Sequence, residues 1–233
     1  VMPDKDSLVS ACIENPSPFK ISYLDMPILG TEMDSTHAAK LMECLGVRCI
    51  VTLGGDGTNR AVVKGSSVTP LLPISNGTNN VFPTPVEGTL AGLVAGLVAR
   101  DLVNLDDVST VRTLIEILIE GKRAEVALVD VAVSKVVFIG SRAIWDMDTL
   151  HEIFVSEGHP GTIGLSAISN LLEPGGGGKR GMHLKIGPGN IRIVAPVMPG
   201  KIIPVQIENF KPLLSDEPVE ITFRPGTVAL DGE

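Results

Sequence analysis

The stretch IVTLGGDGTNR, residues 50–60, decides the fold, because a short apolar run breaks into three glycines around one aspartate and then turns helical. The run begins at residue 47 and is largely β-branched, as in strands that are buried on both faces of a parallel sheet. Open α/β sheets bind their ligands at the carboxyl ends of such strands. The stretch therefore predicts a buried strand, a ligand-binding turn and a helix.

Similar elements flank this stretch. Helical patterns cover residues 4–12, 31–46, 58–64 and 86–99, and a second strand pattern covers residues 70–75. Strand, loop and helix alternate at short spacing up to about Asn104, which predicts a doubly wound, Rossmann-like α/β domain over residues 1–104. We expect its first strand to lie outside this chain.

Beyond Asn104 the pattern changes. Strand-like runs with tight polar breaks cover residues 105–109, 113–120, 125–134, 136–140, 191–195, 202–208 and 219–223. Helical patterns are confined to about 142–154 and 166–172, and residues 174–181, PGGGGKRG, are typical of a mobile loop. These features predict a β-rich, sandwich-like domain over residues 105–226, followed by a returning C-terminal segment, residues 227–233.

Composition restricts the class of protein. A hydrophobic content of 44% with only 3% aromatic residues indicates a core of Val, Ile, Leu and Ala. A net charge of −8 without a basic stripe argues against nucleic acid as a partner. Three cysteines without CxxC pairing indicate reduced thiols, and no apolar run reaches the roughly 18–20 residues of a membrane helix. We therefore expect a cytoplasmic protein.

The segment Gly54-Gly55-Asp56-Gly57-Thr58 predicts a phosphate-binding turn. Glycines let backbone N–H groups approach an anion closely, and the start of a helix adds positive potential. A bare carboxylate at Asp56 would repel phosphate oxygens, so it implies either a Mg²⁺ ion between them or a base that takes a proton from an attacking hydroxyl. The alternative is a tight turn in which Asp56 only caps the helix.

Three segments together resemble the superfamily of NAD kinases and diacylglycerol kinases. The first is GGDGT itself, and the second is ISNGTNNVF, residues 74–82. There Asn80 stands where lipid kinases have Asp, and Val81-Phe82 stand where NAD kinases have Gly-Phe. The third is TVALDGE, residues 227–233, which is similar to the terminal Asp-Gly-Glu of the lipid-kinase branch. The whole chain most resembles the AcoX-type ATP-NAD kinase-like proteins that are encoded with acetoin catabolism genes.

The resemblance implies an ATP-dependent kinase with an α/β domain, a β-rich domain and a last strand that returns toward the first domain. Asp56 would be the general base or a Mg²⁺ ligand, and Asp231 and Glu233 would complete the arrangement. The implied nucleotide- and phosphate-binding residues are Gly54, Gly55, Gly57, Thr58, Asn76, Gly77, Thr78, Asn79 and Asn80. ATP and Mg²⁺ would be required, NAD would be the acceptor through its ribose 2′-hydroxyl, and the chain would form a homo-oligomer, a dimer or a tetramer.

Two alternatives to an NAD kinase stay open. Glu233 and the GTNN sequence at residues 77–80 favour phosphorylation of a lipid or another small alcohol. Asn80 in place of Asp favours a catalytically inactive nucleotide-binding regulator. A GxSxG elbow and the GxxxxGK[ST] pattern are both absent from the sequence. The four histidines share no spacing with carboxylates or cysteines, so we interpret them as surface or satisfied core residues.

Overall fold

The computed structural model describes residues 1–13, 20–137, 146–158, 161–173 and 181–232. The chain forms two compact units. Unit 1 comprises Val1–Asn76 and Pro83–Thr110, and unit 2 comprises Gly77–Phe82 and Val111–Glu233. The chain thus leaves the first unit at Asn76 and returns to it at Pro83. No helix in the described part of the chain is long and apolar enough to cross a membrane.

Unit 1 combines helices with a small parallel sheet. Its elements are a short 3-10 helix Lys5–Ser7, α1 Leu8–Cys12, α2 Glu32–Cys44, β1 Ile50–Leu53, α3 Asp56–Gly65, β2 Leu71–Ile74, α4 Gly88–Ala99 and α5 Leu105–Val108. β1 and β2 pair in parallel from Ile50↔Leu71 to Leu53↔Ile74, so both strands end at the same edge of the sheet. The glycine-rich segment leaves β1 at that edge.

The core of unit 1 lies between α2, α3 and one face of β1. Ala39, Ile50 and Val62 form its buried centre. Successive side chains of a strand point to opposite faces, and the cluster covers only the face of Ile50. Val51 and Leu53 consequently remain 45% and 67% exposed, so the prediction that this strand is buried on both faces is wrong.

Unit 2 is built on antiparallel sheets. Its elements are β3 Ile115–Ile119, β4 Lys122–Ala127, β5 Asp130–Ser134, a 3-10 helix Met147–Thr149, β6 Leu150–Val155, α6 Ser166–Leu172, β7 Met182–Met198, β8 Lys201–Pro212 and β9 Thr227–Leu230. β3 and β4 form a hairpin, and the other five strands form one sheet in the order β8-β7-β6-β5-β9. Separate hydrophobic clusters are built around Ile153 and Leu184 and around Val131 and Phe154.

The predicted fold class, an α/β half followed by a β-rich half, is confirmed by these two units and by the five-stranded antiparallel sheet. Residues 105–109 are not a strand, because the Asn104 side chain accepts a hydrogen bond from the Asp106 nitrogen and begins α5. The helix predicted for residues 142–154 is also wrong over its described part. Leu150–Val155 instead forms β6, whose pairing with β5 and β7 outweighs local helical pattern.

Residues 219–223 form no regular strand and lie against the sheet through Val219, Ile221 and Phe223. The helix predicted for residues 166–172 is confirmed as α6. The glycine-rich loop predicted for residues 174–181 lies outside the described residues except for Gly181, and Glu233 lies outside them as well.

Candidate functional site

The GGDGT segment forms a tight connection between β1 and α3. The Gly54 nitrogen donates a hydrogen bond to the Ile74 carbonyl at 3.0 Å, which ties the end of β1 to the end of β2. A Cβ atom at Gly54 would lie 2.5 Å from the Cβ and Oγ1 atoms of Thr58, a separation that side chains do not adopt. Glycine is therefore required at this position by close packing within the segment itself.

A buried asparagine stabilises the same connection through hydrogen bonds of its side chain. Asn59 is fully buried, its Oδ1 atom accepts from the Thr52 hydroxyl at 2.6 Å, and its Nδ2 donates to the Gly55 carbonyl at 2.8 Å. The strand, the glycine turn and the first turn of α3 are thereby joined by side-chain hydrogen bonds. Such bonds restrain a backbone whose N–H groups would otherwise lose entropy on binding an anion.

Asp56 is the first residue of α3, after the extended N-cap residue Gly55. The backbone nitrogen of Asn59 donates a helical hydrogen bond to the Gly55 carbonyl at 3.2 Å. The N–H groups of Gly57 and Thr58 come before Asn59, in the first turn of the ten-residue helix, where the helix dipole is positive. Asp56 and these N–H groups thus belong to the same helix start. This arrangement can accommodate an anion next to an acidic group.

The described residues contain no cluster of three or more His, Cys, Asp or Glu side chains that could hold a metal ion. Mg²⁺, however, usually keeps several waters and binds through one or two carboxylates together with substrate phosphates. The single carboxylate of Asp56, placed at a helix start that suits phosphate, fits that partial donor set.

The segment that carries the second motif leaves the parallel sheet at Ile74 and pairs with it again at Thr84. The Ser75 nitrogen donates to the Thr84 carbonyl at 2.9 Å, and Thr84 forms a parallel bridge with Ile74. The residues between them project as a loop, in which Asn76, Gly77, Thr78 and Asn79 are exposed and Asn80 is half-buried. Asn79 has a left-handed backbone, with φ of 68°, which asparagine tolerates better than most residues.

Gly77–Phe82 belongs to unit 2. Val81 and Phe82 line a small cavity of about 10 Å³ together with residues that include Leu128 and Val129. That volume corresponds to about one water molecule. The motif is therefore anchored by its apolar end on the turn between β4 and β5.

Asp231 holds that same turn. Its carboxylate accepts hydrogen bonds from the nitrogens of Leu128, Val129 and Asp130, at shortest distances of 3.0, 2.8 and 3.3 Å. Asp231 follows β9, which pairs with β5 in the five-stranded sheet. The structure therefore brings the second and third motifs to one turn of unit 2, and it places the first motif in unit 1.

The small cavity is also lined by a polar group that no sequence motif predicted, formed by Arg112, Thr113 and Glu157. Arg112 forms an ion pair with the buried Glu157 at 3.1 Å, and Oε1 of Glu157 also accepts from the nitrogen and hydroxyl of Thr113. Arg112 and Glu157 are far apart in sequence and belong to no motif. No sequence signal could have paired them.

The N-terminal part of the chain, residues 5–102, matches the family model of the ATP-NAD kinase N-terminal domain. The C-terminal part, residues 113–233, matches that of the acetoin catabolism protein X C-terminal domain. Acetoin catabolism protein X of Cupriavidus necator is 38% identical over 221 residues, which cover 91% of this chain and 62% of that protein. This chain thus spans less than two thirds of the relative's length.

No solved structure matches the chain. The two family models follow each other along the sequence and meet close to the boundary at which unit 2 resumes, at Val111. The order of the models also agrees with the α/β half and the β-rich half of the fold. The chain therefore belongs to the acetoin catabolism protein X family, with an N-terminal domain of the ATP-NAD kinase type.

Proposed function

We propose that this protein transfers the γ-phosphoryl group of ATP to a hydroxyl group, with the ribose 2′-hydroxyl of NAD as the first candidate acceptor. The observation that carries the proposal is the Gly54–Asp56 connection, in which a glycine turn without room for a side chain places a carboxylate at the start of α3. The match of residues 5–102 to the ATP-NAD kinase N-terminal domain supports the same chemistry.

In this proposal the backbone N–H groups of Gly55, Gly57 and Thr58 bind phosphate oxygens, and the positive end of α3 favours their charge. Asp56 accepts the proton of the attacking hydroxyl or binds Mg²⁺. When bound, Mg²⁺ neutralises charge that develops on the transferred phosphoryl group. The exposed amides of Asn76 and Asn79 are candidates for hydrogen bonds to the ribose or to a base edge.

Asp231 and Glu233 have a different place in the proposal. Because the Asp231 carboxylate accepts three backbone hydrogen bonds, we assign it to positioning the Leu128–Val129 turn, on which Val81 and Phe82 pack. Glu233 remains a candidate catalytic or metal-binding carboxylate on the family resemblance alone. The name of the Cupriavidus relative supports a link of the reaction to acetoin catabolism.

The test is a direct assay for product. The purified chain is incubated with Mg²⁺ and ATP, or with polyphosphate, in the presence of NAD, and NADP is measured with an NADP-specific dehydrogenase. Asp56→Asn should lower the rate by about 10²–10⁴-fold, as expected for a general base. Asp107→Asn, which changes an exposed aspartate of α5 in the same unit, is the matched control and should retain the rate.

Other outcomes separate the alternatives. Phosphorylation of a diacylglycerol or a short-chain alcohol in place of NAD would identify a lipid or small-alcohol kinase. Calorimetric binding of ATP or NAD without any phosphorylated product would instead identify a nucleotide-binding regulator. Full activity of Asp56→Asn would refute the role given to that carboxylate.

A further inference from the structure

One face of the five-stranded sheet changes from apolar to polar across its strands. On β6, β7 and β8 the paired residues form two rows of three, Phe154–His183–Lys211 and Glu152–Lys185–Asn209. Residues two apart on a strand share a face, so both rows lie on the same side of the sheet. His183 and Lys211 of the first row and the whole second row form the floor of a cavity of about 470 Å³. Pro218, Val219, Glu220 and Thr222 complete its lining.

The floor contains a buried histidine and a buried carboxylate. Glu152 is 2% exposed and His183 is 4% exposed, and their Oε2 and Nε2 atoms are 2.8 Å apart. The His183 ring also stacks on Phe154, with centroids 4.3 Å apart and planes inclined by 3°. The imidazole is therefore held in one orientation by a hydrogen bond at its edge and by an aromatic ring on its face.

Burial lowers the pKa of His183, and the positive charges of Lys211 and Lys185 lower it further, against the opposing effect of Glu152. The imidazole is accordingly neutral near pH 7. A carboxylate only accepts hydrogen bonds, so Nε2 carries the proton and donates to Glu152, while Nδ1 keeps its lone pair. The other oxygen of Glu152, Oε1, lies 3.4 Å from His151 Nε2.

The two lysines place two positive charges at the cavity, equal in number to the carboxylates of Glu152 and Glu220 in its lining. They occupy diagonal positions on β7 and β8, which places their side chains about 7–8 Å apart at the base. Neither ammonium group has an ion-pair partner within the described residues. The exposed side chain of Glu220 lies at the lining of the cavity, and the exposed Asn209 and Thr222 add neutral hydrogen-bonding groups.

We propose that this cavity is a second ligand site, which binds a small organic oxyanion between Lys185 and Lys211 over the His183–Glu152 pair. The volume is that of a small-molecule pocket. An oxyanion between the lysines would relieve their mutual repulsion and gain charge-assisted hydrogen bonds. Hydroxyl groups on the ligand would find acceptors at His183 Nδ1, Asn209 and Thr222. The site lies wholly in unit 2 and does not depend on the phosphoryl transfer proposed above.

The test uses the full chain and three probes: inorganic phosphate, glycerol 3-phosphate and malate, each compared with NaCl at equal ionic strength. Binding is measured by calorimetry, and the NMR signal of the His183 ring reports whether the ligand is at this cavity. We expect saturable binding and an upward shift of the His183 pKa, because the anion offsets the charge of the lysines. The preferred probe distinguishes phosphate from carboxylate ligands.

Lys185→Gln and Lys211→Gln should each weaken binding by about tenfold or more, as expected for loss of a charge-assisted hydrogen bond. Lys201→Gln, at the far end of β8, is the control and should bind as the parent chain does. Absence of saturable binding up to about 10 mM, a weak limit for any specific small ligand, would overturn the proposal. Binding that survives both lysine substitutions, or that leaves the His183 signal unchanged, would overturn it as well.

Discussion

The Oδ1 atom of Asp231 accepts a hydrogen bond from the backbone nitrogen of Val129 at 2.8 Å, across 102 residues of sequence. The nitrogens of Leu128 and Asp130 donate to the same carboxylate, so three consecutive N–H groups surround one anionic side chain. This is the way in which backbone nests bind anions. The aspartate of the C-terminal motif thus fixes the turn between β4 and β5.

Replacement of Asp231 by glycine tests this role. Asp231 has a φ of 50°, which glycine adopts without strain, so the substitution removes the carboxylate and leaves the backbone conformation accessible. We expect a loss of about 1.5–3 kcal/mol of unfolding free energy, the range for hydrogen bonds to a charged group. Denaturant unfolding measures the loss, and hydrogen exchange should accelerate at residues 128–130.

Asp216→Gly is the matched control, because Asp216 also has a positive φ, 64°, and is exposed. Its unfolding free energy should change little. If Asp231→Gly were as stable as the control, the hydrogen bonds to the turn would not contribute to stability, and a role for Asp231 in chemistry would become the better interpretation.

Asn59 is expected to control the geometry of the glycine turn. Asn59→Ala removes the partner of the Thr52 hydroxyl and of the Gly55 carbonyl at a fully buried position, so about 1–3 kcal/mol of stability should be lost. Thr52→Val removes only the first of these bonds. A double-mutant cycle by chemical denaturation should give a coupling free energy of about 0.5–3 kcal/mol, as found for residues in contact. Strict additivity would contradict the proposed network.

Gly54→Ala should distort the candidate phosphate site, because its Cβ would be 2.5 Å from the Thr58 side chain. We expect a loss of about 1–3 kcal/mol from overpacking, together with weaker ATP binding measured by calorimetry. Gly88→Ala, at the start of α4, has no atom within 4 Å of its added Cβ and serves as the control. Equal stability and ATP affinity of the two variants would show that the close approach at Gly54 has no consequence.

The His183–Glu152 pair predicts a particular pH dependence. Because the pKa of His183 is lowered in the folded chain from its usual value of 6.5, the unfolded chain binds more protons just below that pH. The contribution of His183 to stability is therefore fully present above pH 6.5 and is lost as the pH falls from 6.5 through the folded-state pKa.

The ring signals of His183 in an NMR titration measure this pKa directly, and denaturant unfolding between pH 5 and 8 measures its effect on stability. The charged groups that line the cavity with His183 are Glu152, Lys185, Lys211 and Glu220. His183→Gln should flatten the decrease in stability below pH 6.5. A His183 pKa at or above 6.5 would contradict the lowering of its pKa by burial.

Local patterns were sufficient for the helices and strands whose residues agree in propensity and periodicity. The glycine turn followed by α3, and the helices α2 and α4, lie close to their predicted ranges. Prediction failed where long-range contacts decide the conformation. β6 lies in a stretch with helical pattern, yet it becomes a central strand because strands on both sides pair with it.

The same distinction between local pattern and long-range contact applies to the candidate site residues. Gly54 and Asp56 could be identified from the sequence, because a glycine turn between a strand and a helix has a local mechanism for binding anions. The pairing of Arg112 with Glu157, and that of His183 with Glu152, join residues tens of positions apart. Only the strand register of unit 2 brings the second pair together.

The sequence by itself determined the α/β half, the β-rich half and the glycine turn that leads into α3, because each depends on neighbouring residues and their backbone preferences. The tertiary structure alone decided that Gly77–Phe82 belongs to the second unit and that Asp231 binds the 128–130 turn. It also decided that two lysines and a buried histidine share one cavity. These relationships depend on which strands pair and in which register. Pairing between distant segments cannot be recognised from neighbouring residues in the sequence.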